Sequence, residues 1–399
     1  MKKIAFIFPP LLPMPAVKGG ATETLIQRLI DDNEKYGEFQ FRVFCCYDPE
    51  AEQSGKKYKN TRFSYIKKPN SIIERMGFLW FRFRRKFSKS YVPEPYLTQI
   101  AAELNKETYD AVIVESSLRF VPYLKENTQN TVLLHLHFDA VASGQQMLDQ
   151  GLHFCDGVVC VSHFIRKTIC DYDSTIPTWV LPNVTDVSCF DSRRYTKQVA
   201  ELKEKFGLID EPVVLYSGRL TPLKGVLELV QAYKLALEQV PNMKLILAGS
   251  AGYGATTRDE YYDTLIEEIG QLKEKCVFLT GYVEHEKMPV YYALADVAVL
   301  PTTLVEEAAP LSVLEAQASG CYFVGSDSGA IGELLCADYG AVVKRGERYV
   351  ENLMEQLLVA ARHYRRGDHP DPTPGRRYVL ERHNGENYYG NFAQLMQKI

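Results

Sequence analysis

Residues 213–233 read VVLYSGRLTPLKGVLELVQAY. A short apolar run, Val213–Ser217, ends at Gly218, and a polar turn through Thr221 and Pro222 follows. From Gly225 onward the valines and leucines recur at helical spacing. A strand that runs through a tight loop into a helix is the repeating unit of a parallel α/β sheet. Arg219 and Lys224 lie on the loop, at the carboxyl end of the strand, where ligands bind in open α/β sheets. Two cations so close together suit a diphosphate, because a guanidinium grips two oxygens and an ammonium adds a compact charge.

The same rhythm runs through the chain. In the first half the strand-like runs are Ile4–Phe8, Phe41–Tyr47, Ala111–Glu115, Val132–His137, Gly157–Val161 and Thr178–Pro182. In the second half Lys244–Ala248, Cys276–Leu279, Val297–Pro301, Tyr322–Ser326 and Ala341–Lys344 follow Val213–Ser217. Near-continuous apolar strands separated by helices indicate parallel sheets covered on both faces. Two such sets predict two doubly wound α/β domains rather than one barrel. The boundary falls in the polar stretch after Asn183, giving domains at 1–185 and 186–375. A last helix, YVLERHNGENYYGNFAQLMQKI, closes residues 376–399 and is expected to pack back on the first domain.

Composition excludes several classes. A formal net charge of −4 over 399 residues creates no global field toward nucleic acid. The nine cysteines form no CxxC pair, which points to buried reduced thiols, a cytoplasmic compartment and no zinc site. The opening MKKIAFIFPP is a strand followed by a proline loop rather than a signal peptide. The Asp171-Tyr172-Asp173 triplet follows a helix and reads as a solvated loop.

Two further loops have the makings of ligand sites. Lys18-Gly19-Gly20 precedes the helical pattern ATETLIQRLIDDNE. The glycines allow close approach to a ligand and free N–H groups that face an anion. No GxGxxG follows that strand, which argues against a dehydrogenase. The segment EEAAPLSVLE, residues 306–315, follows the strand VAVLPT. Pro310 suits the first helical position, and the helix is expected to stop at Gly320. Glu307 then lies on the loop and Glu315 inside the helix, with the amides near Leu311 and Ser312 open between them. Carboxylates flanking an anion site suit a nucleotide sugar, whose hydroxyls need acceptors while its phosphates need donors.

The ordered set KGGATET, HLHFD, GVVCVSHFIRKTI, VLPNVTD, SGRLTPLKG, LAGS, LTGYV, ADVAVLPT, EEAAPLSVLEAQASG and SDSGAIGEL closely resembles glycosyltransferase family 4 and covers nearly the whole chain. The resemblance implies the GT-B architecture, two facing Rossmann-like domains with an interdomain cleft, and a retaining transfer of a hexose. It implies that Glu307 holds hydroxyls of the donor sugar and Glu315 those of the ribose. Arg219, Lys224 and the amides of Leu311 and Ser312, beside Gly218 and Pro310, would carry the diphosphate. Gly281, Tyr282 and Val283 would meet the base, and Gly19 and Gly20 the donor phosphates and acceptor. His137 would contact the donor sugar; His135 is expected to be buried by strand alternation. No cofactor or metal is expected, since the cations take the metal's part. The chain departs from the family at Ala309-Pro310 and Ala330, where glycines are frequent, so the resemblance does not identify the sugar. The opening resembles a branch tied to bacterial surface polysaccharide and spore-coat transferases.

Residues 55–90 are rich in lysine and arginine, with Glu74 as the one acid, and alternate these with aromatics. Arg82, Arg84, Arg85 and Lys86 surround an apolar helical stripe that suits an anionic membrane surface or a glycan or lipid-linked acceptor. No nucleic-acid module accompanies it. Other readings are a GT-B nucleotide-sugar epimerase and an inactive sugar-nucleotide scaffold. Base, sugar, acceptor and oligomeric state are not encoded legibly.

Overall fold

The computed structural model describes residues 1–67, 94–142, 144, 148–251, 259–304, 306–365 and 372–399. Contacts divide the chain into two units, Met1–Pro182 with Tyr389–Ile399, and Asn183–Tyr388.

The first unit holds seven parallel strands: β1 (Lys2–Ile7), β2 (Phe39–Cys46), β3 (Thr61–Ile66), β4 (Ala111–Glu115), β5 (Val132–Leu136), β6 (Gly157–Cys160) and β7 (Thr178–Val180). Their order is β3-β2-β1-β4-β5-β6-β7. The second unit holds β8 (Val213–Ser217), β9 (Lys244–Ala248), β10 (Val277–Gly281), β11 (Val297–Leu300), β12 (Tyr322–Ser326) and β13 (Gly340–Val343), in the order β10-β9-β8-β11-β12-β13. Both sheets are doubly wound, as the sequence rhythm predicts. The central strands are buried along nearly their whole length, which is why they read as apolar runs.

Chain order reverses between β1 and β4 in one sheet and between β8 and β11 in the other. At such a switch point two adjacent strands send their loops in opposite directions, and a crevice opens at their carboxyl ends. The loops after β1, β4, β8 and β11 are therefore the places to look for chemistry.

Two expectations are corrected. β3 lies inside the segment read as a basic insertion; it is an edge strand whose alternation is weak because Arg62 is exposed and the middle residues are only partly covered. The closing helix is two helices rather than one. The first spans Thr373–Arg382 and the second Tyr388–Lys398, separated by a short turn at Gly385–Asn387. The break is fixed by pairing with the linker: Thr185 donates its N–H to the His383 carbonyl (2.9 Å), and Gly385 returns its own to the Thr185 carbonyl (2.8 Å). In the last helix, Phe392 packs on Phe6, Phe39 and Phe41 of the first sheet. Among the described residues no helix is long and apolar enough to cross a membrane.

Candidate active site

In the second unit the site grows from the β8/β11 switch. After Ser217 the chain passes Gly218 and the exposed Arg219, whose carbonyl accepts the Tyr216 hydroxyl at 2.5 Å. A single 3-10 turn, Pro222–Lys224, follows, and a helix begins at Val226. The helices that follow the switch-point loops are α1 (Ala21–Tyr36), α2 (Val226–Leu237) and α3 (Leu311–Ser319).

The loop after β11 holds that turn in place. Thr302 Oγ1 donates to the Leu223 carbonyl (2.8 Å), Thr303 Oγ1 to that of Pro222 (3.2 Å), and the amides of Thr303 and Leu304 both reach Leu223 (3.1 Å). The two segments come so close that a Cβ on Gly225 would lie 1.9 Å from the Pro301 carbonyl oxygen; its φ of +67° is also one that other residues avoid. The result is contact between side chains 83 positions apart: Lys224 Nζ pairs with Glu307 Oε1, with side-chain exposures of 19% and 9%.

Glu307 is itself held from behind. Its N–H donates to Ser328 Oγ (3.2 Å), and its carbonyl accepts from Ala330 (2.7 Å). A Cβ on Gly329 would stand 2.1 Å from that carbonyl oxygen. Arg345 clamps the strand-end loops, donating to the carbonyls of Thr303 (3.2 Å) and Leu304 (2.9 Å) and to Asp327 Oδ1 (2.8 Å). Asn183 Nδ2 holds the Ala309 carbonyl at 2.9 Å. Asn183 and Ser328 lie in the motifs VLPNVTD and SDSGAIGEL and Arg345 in none, but only the fold shows that all three hold this loop.

Pro310 is the residue before α3 rather than its first, with φ −68° and ψ 124°. A proline there leaves the first turn without a side-chain cap, so the amides of Leu311 and Ser312 have no acceptor in the helix. Gly320 ends α3 in the left-handed conformation, as expected. Glu315 is buried in the second turn and accepts from His285 Nε2 at 3.0 Å, an interaction the sequence did not reveal. The His285 pKa is raised by that hydrogen bond to Glu315 against the cost of burial. Gly281 ends β10, with φ +71°, and leads into the exposed Tyr282 and partly covered Val283.

In the first unit, Gly19 and Gly20 lie on the loop after β1, Gly20 immediately before α1. Glu23, in the first turn of α1, is buried, and burial pushes its carboxyl up to about 6. His135 is buried as expected, and His137 keeps 11% side-chain exposure. Two residues apart at a strand end, both rings reach one carboxylate, Glu115 at the end of β4. His137 Nε2 is 2.9 Å and His135 Nδ1 3.0 Å from Glu115 Oε2, and the two nitrogens are 3.2 Å apart. Burial alone would raise the Glu115 carboxyl, but the two imidazoles outweigh it and hold the group down at about 2. Among the described residues this is the one His/Cys/Asp/Glu grouping compact enough for a metal ion, its donor atoms lying within 4.8 Å. The hydrogen bonds already account for the three groups. A metal on His135 Nδ1 would also leave the ring's Nε2–H buried without the second-shell acceptor that ligating histidines have.

Arg82, Arg84, Arg85 and Lys86 lie outside the described residues. The Asp171-Tyr172-Asp173 triplet does not follow a helix but ends one, His163–Tyr172: Asp171 pairs with Lys167 one turn earlier (2.5 Å) and Asp173, just past the helix, with His153 (2.9 Å).

Residues 198–364 match the family model of glycosyl transferases group 1. The chain is 26% identical to spore coat protein SA of Bacillus subtilis over 348 residues, covering 84% of this chain and 83% of the relative. It is 24% identical to the lipopolysaccharide 1,2-N-acetylglucosaminetransferase of Salmonella typhimurium over 342 residues, again 84% and 83%. The crystal structure of Anabaena HepE in complex with UDP-glucose superposes with a TM-score of 0.76 over 100% of both chains at 18% identity. Sucrose-phosphate synthase of Thermosynechococcus elongatus gives 0.72 at 19% identity, over 100% of this chain and 99% of that one. These likenesses establish the GT-B fold.

Proposed function

We propose, from the premise that this chain is a glycosyltransferase of the group 1 family, that it transfers a hexose from a nucleotide-diphosphate sugar to a glycan or lipid-linked acceptor with retention at the anomeric carbon. The observation that carries the reading is the Lys224–Glu307 contact beside the open end of α3, at the β8/β11 switch. A sugar diphosphate needs a cation, a carboxylate and free amides, and the loops after β8 and β11 supply them in Lys224, Glu307 and the first turn of α3.

The pyrophosphate is held by Arg219, Lys224 and the amides of Leu311 and Ser312. As the bond from the anomeric carbon to the phosphate oxygen breaks, negative charge grows on that oxygen, and fixed cations and N–H dipoles stabilise it more than they stabilise the bound donor. The acceptor oxygen forms the new bond from the same face, and its proton passes to the departing phosphate oxygen. The products are the lengthened acceptor and a nucleoside diphosphate. Glu307 accepts hydrogen bonds from the hexose hydroxyls and Glu315 from the ribose. With two cations at the leaving group, the reaction needs no metal. Acceptors built for surface polysaccharide fit the relatives with spore-coat and lipopolysaccharide names.

Turnover of UDP-, GDP-, ADP- and dTDP-hexoses tests this, with Glu307→Ala and Lys224→Ala beside the wild type. Activity with at least one donor, lost in both variants, is expected. Tight nucleotide-sugar binding without hydrolysis or transfer would replace the enzyme with a binding scaffold.

A further inference from the structure

Glu315 is set among two side chains that have no part in the transfer proposed above. His285 opens the 3-10 turn His285–Lys287, which follows β10, and Tyr292 lies in the next helix, Met288–Leu294. The half-exposed imidazole places Nε2 3.0 Å from Glu315 Oε1. Its ring stands 6.0 Å from that of Phe190, which in turn packs edge-on against Tyr292 at 5.7 Å. Tyr292 is 1% exposed, and its buried hydroxyl has no partner at hydrogen-bond distance, although Glu315 and Ser217 lie close enough to act on it. All of these residues belong to the second unit.

A buried carboxylate needs donors, and among the described residues His285 is the one group that hydrogen-bonds the Glu315 side chain. An ionised carboxylate only accepts, so the Nε2 facing it carries the proton. The last torsion of a glutamate is broad, so the carboxylate has no sharp rotamer of its own to hold it. Tyr292 is a competing donor. A buried hydroxyl without a partner is costly, and turning Glu315 toward it would satisfy both groups. Because that hydroxyl is shut off from solvent, the turn would point the carboxylate inward, away from any ligand. The bond to His285 opposes it.

We infer that His285 is a positioning residue, which holds Glu315 away from the Tyr292 hydroxyl and keeps the carboxylate available to the ribose hydroxyls of the donor nucleotide. Oε1 accepts from the imidazole, which leaves Oε2 for the ligand. His285 belongs to none of the motifs that carry the family resemblance, since LTGYV ends at Val283. The identity of the ligand rests on the transferase reading; the competition between the two donors does not.

Calorimetric titration of the full-length protein with UDP, GDP, ADP and dTDP selects the nucleotide, and the 2′,3′-dideoxy form of that nucleotide is the probe without ribose hydroxyls. His285→Ala should weaken the nucleotide about ten- to a hundredfold, the scale of one hydrogen bond to a charged group. His285→Gln, whose amide N–H reaches the same oxygen, should stay within about threefold of wild type, and Tyr292→Phe, which removes a hydroxyl that has no bond to lose, within about twofold. The decisive protein combines His285→Ala with Tyr292→Phe. With the competing hydroxyl gone, it should bind the nucleotide about fivefold more tightly than His285→Ala alone. The dideoxy probe should bind wild type and His285→Ala equally. Nitrogen-15 histidine spectra should show the His285 ring titrating at a lower pH in Glu315→Gln, since the bond to Glu315 is the chief cause of its raised pKa. Nucleotide binding indifferent to His285→Ala, no gain in the double variant, or a dideoxy probe weakened in step with the nucleotide would overturn the inference and leave the transferase reading standing. A wild type that binds none of the four nucleotides defeats that reading, and the inference with it.

Discussion

Lys224→Ala separates two roles that the Lys224–Glu307 contact combines. The lysine side chain is 19% exposed and the glutamate 9%, so removing the cation leaves a carboxylate almost out of water with no counter-charge. Breaking a fully buried pair costs about 3–5 kcal/mol, whereas an exposed pair contributes under about 1 kcal/mol. With one partner reaching solvent, about 2 kcal/mol is expected, read as a lower denaturant midpoint at pH 7.5. Turnover should fall about 10²- to 10³-fold, as for loss of one preorganised electrostatic donor. Glu307→Gln combined with Lys224→Ala removes the stranded charge while keeping the side chain's size. Stability should then return to within about 1 kcal/mol of wild type, the scale of an exposed pair. Turnover should stay down, because a pyrophosphate still lacks its cation. If turnover recovers along with stability, the lysine serves only to neutralise Glu307, and the proposed leaving-group chemistry fails.

Gly225→Ala places a methyl 1.9 Å from the Pro301 carbonyl and demands φ +67° of an alanine. The conformation alone costs about 1–2 kcal/mol and the overlap about 1–3 more, so unfolding and turnover should both suffer; an unperturbed variant would mean the two loops are not in contact. Glu23 makes stability depend on pH. Its carboxyl rises from 4.5 to about 6, chiefly through burial, so the folded chain holds a proton that the unfolded chain has released. Stability therefore declines as pH climbs from 4.5 to 6 and stays lower above it, by about 2 kcal/mol. Glu23→Gln should flatten that decline in denaturation curves measured from pH 4 to 8 and be the more stable protein at the alkaline end.

The strands most legible in the sequence are those the sheets bury on both faces. AVIVE and VLLHL have no solvent face to alternate toward, so burial writes itself as an apolar run. β3 is the converse. An edge strand with Arg62 outward and half-covered neighbours carries no such run, and the surrounding lysines make it read as an insertion. The break near Gly385 was illegible for another reason: helical spacing persists through it, and only the linker at Thr185, two hundred positions away, competes for the backbone. The candidate site divides along the same line. Arg219, Lys224 and Glu307 can be picked out because each is a charge on the connection that follows a strand, and Glu315 because it is the one charge within the apolar helix LSVLEAQAS. That Lys224 should touch Glu307 follows only once β11 is known to lie beside β8, since that adjacency brings the two loops to one edge. Glu115 shows the limit most sharply. In sequence it is the last letter of an apolar strand, with no motif to mark it. Its chemistry arises from the β4–β5 register, which sets it opposite His135 and within reach of His137. A parallel sheet can thus join two residues that one-dimensional patterns classify as core, Glu115 and His135, to a third just past the strand end, and at a switch point such residues call for the same scrutiny as charged loop residues.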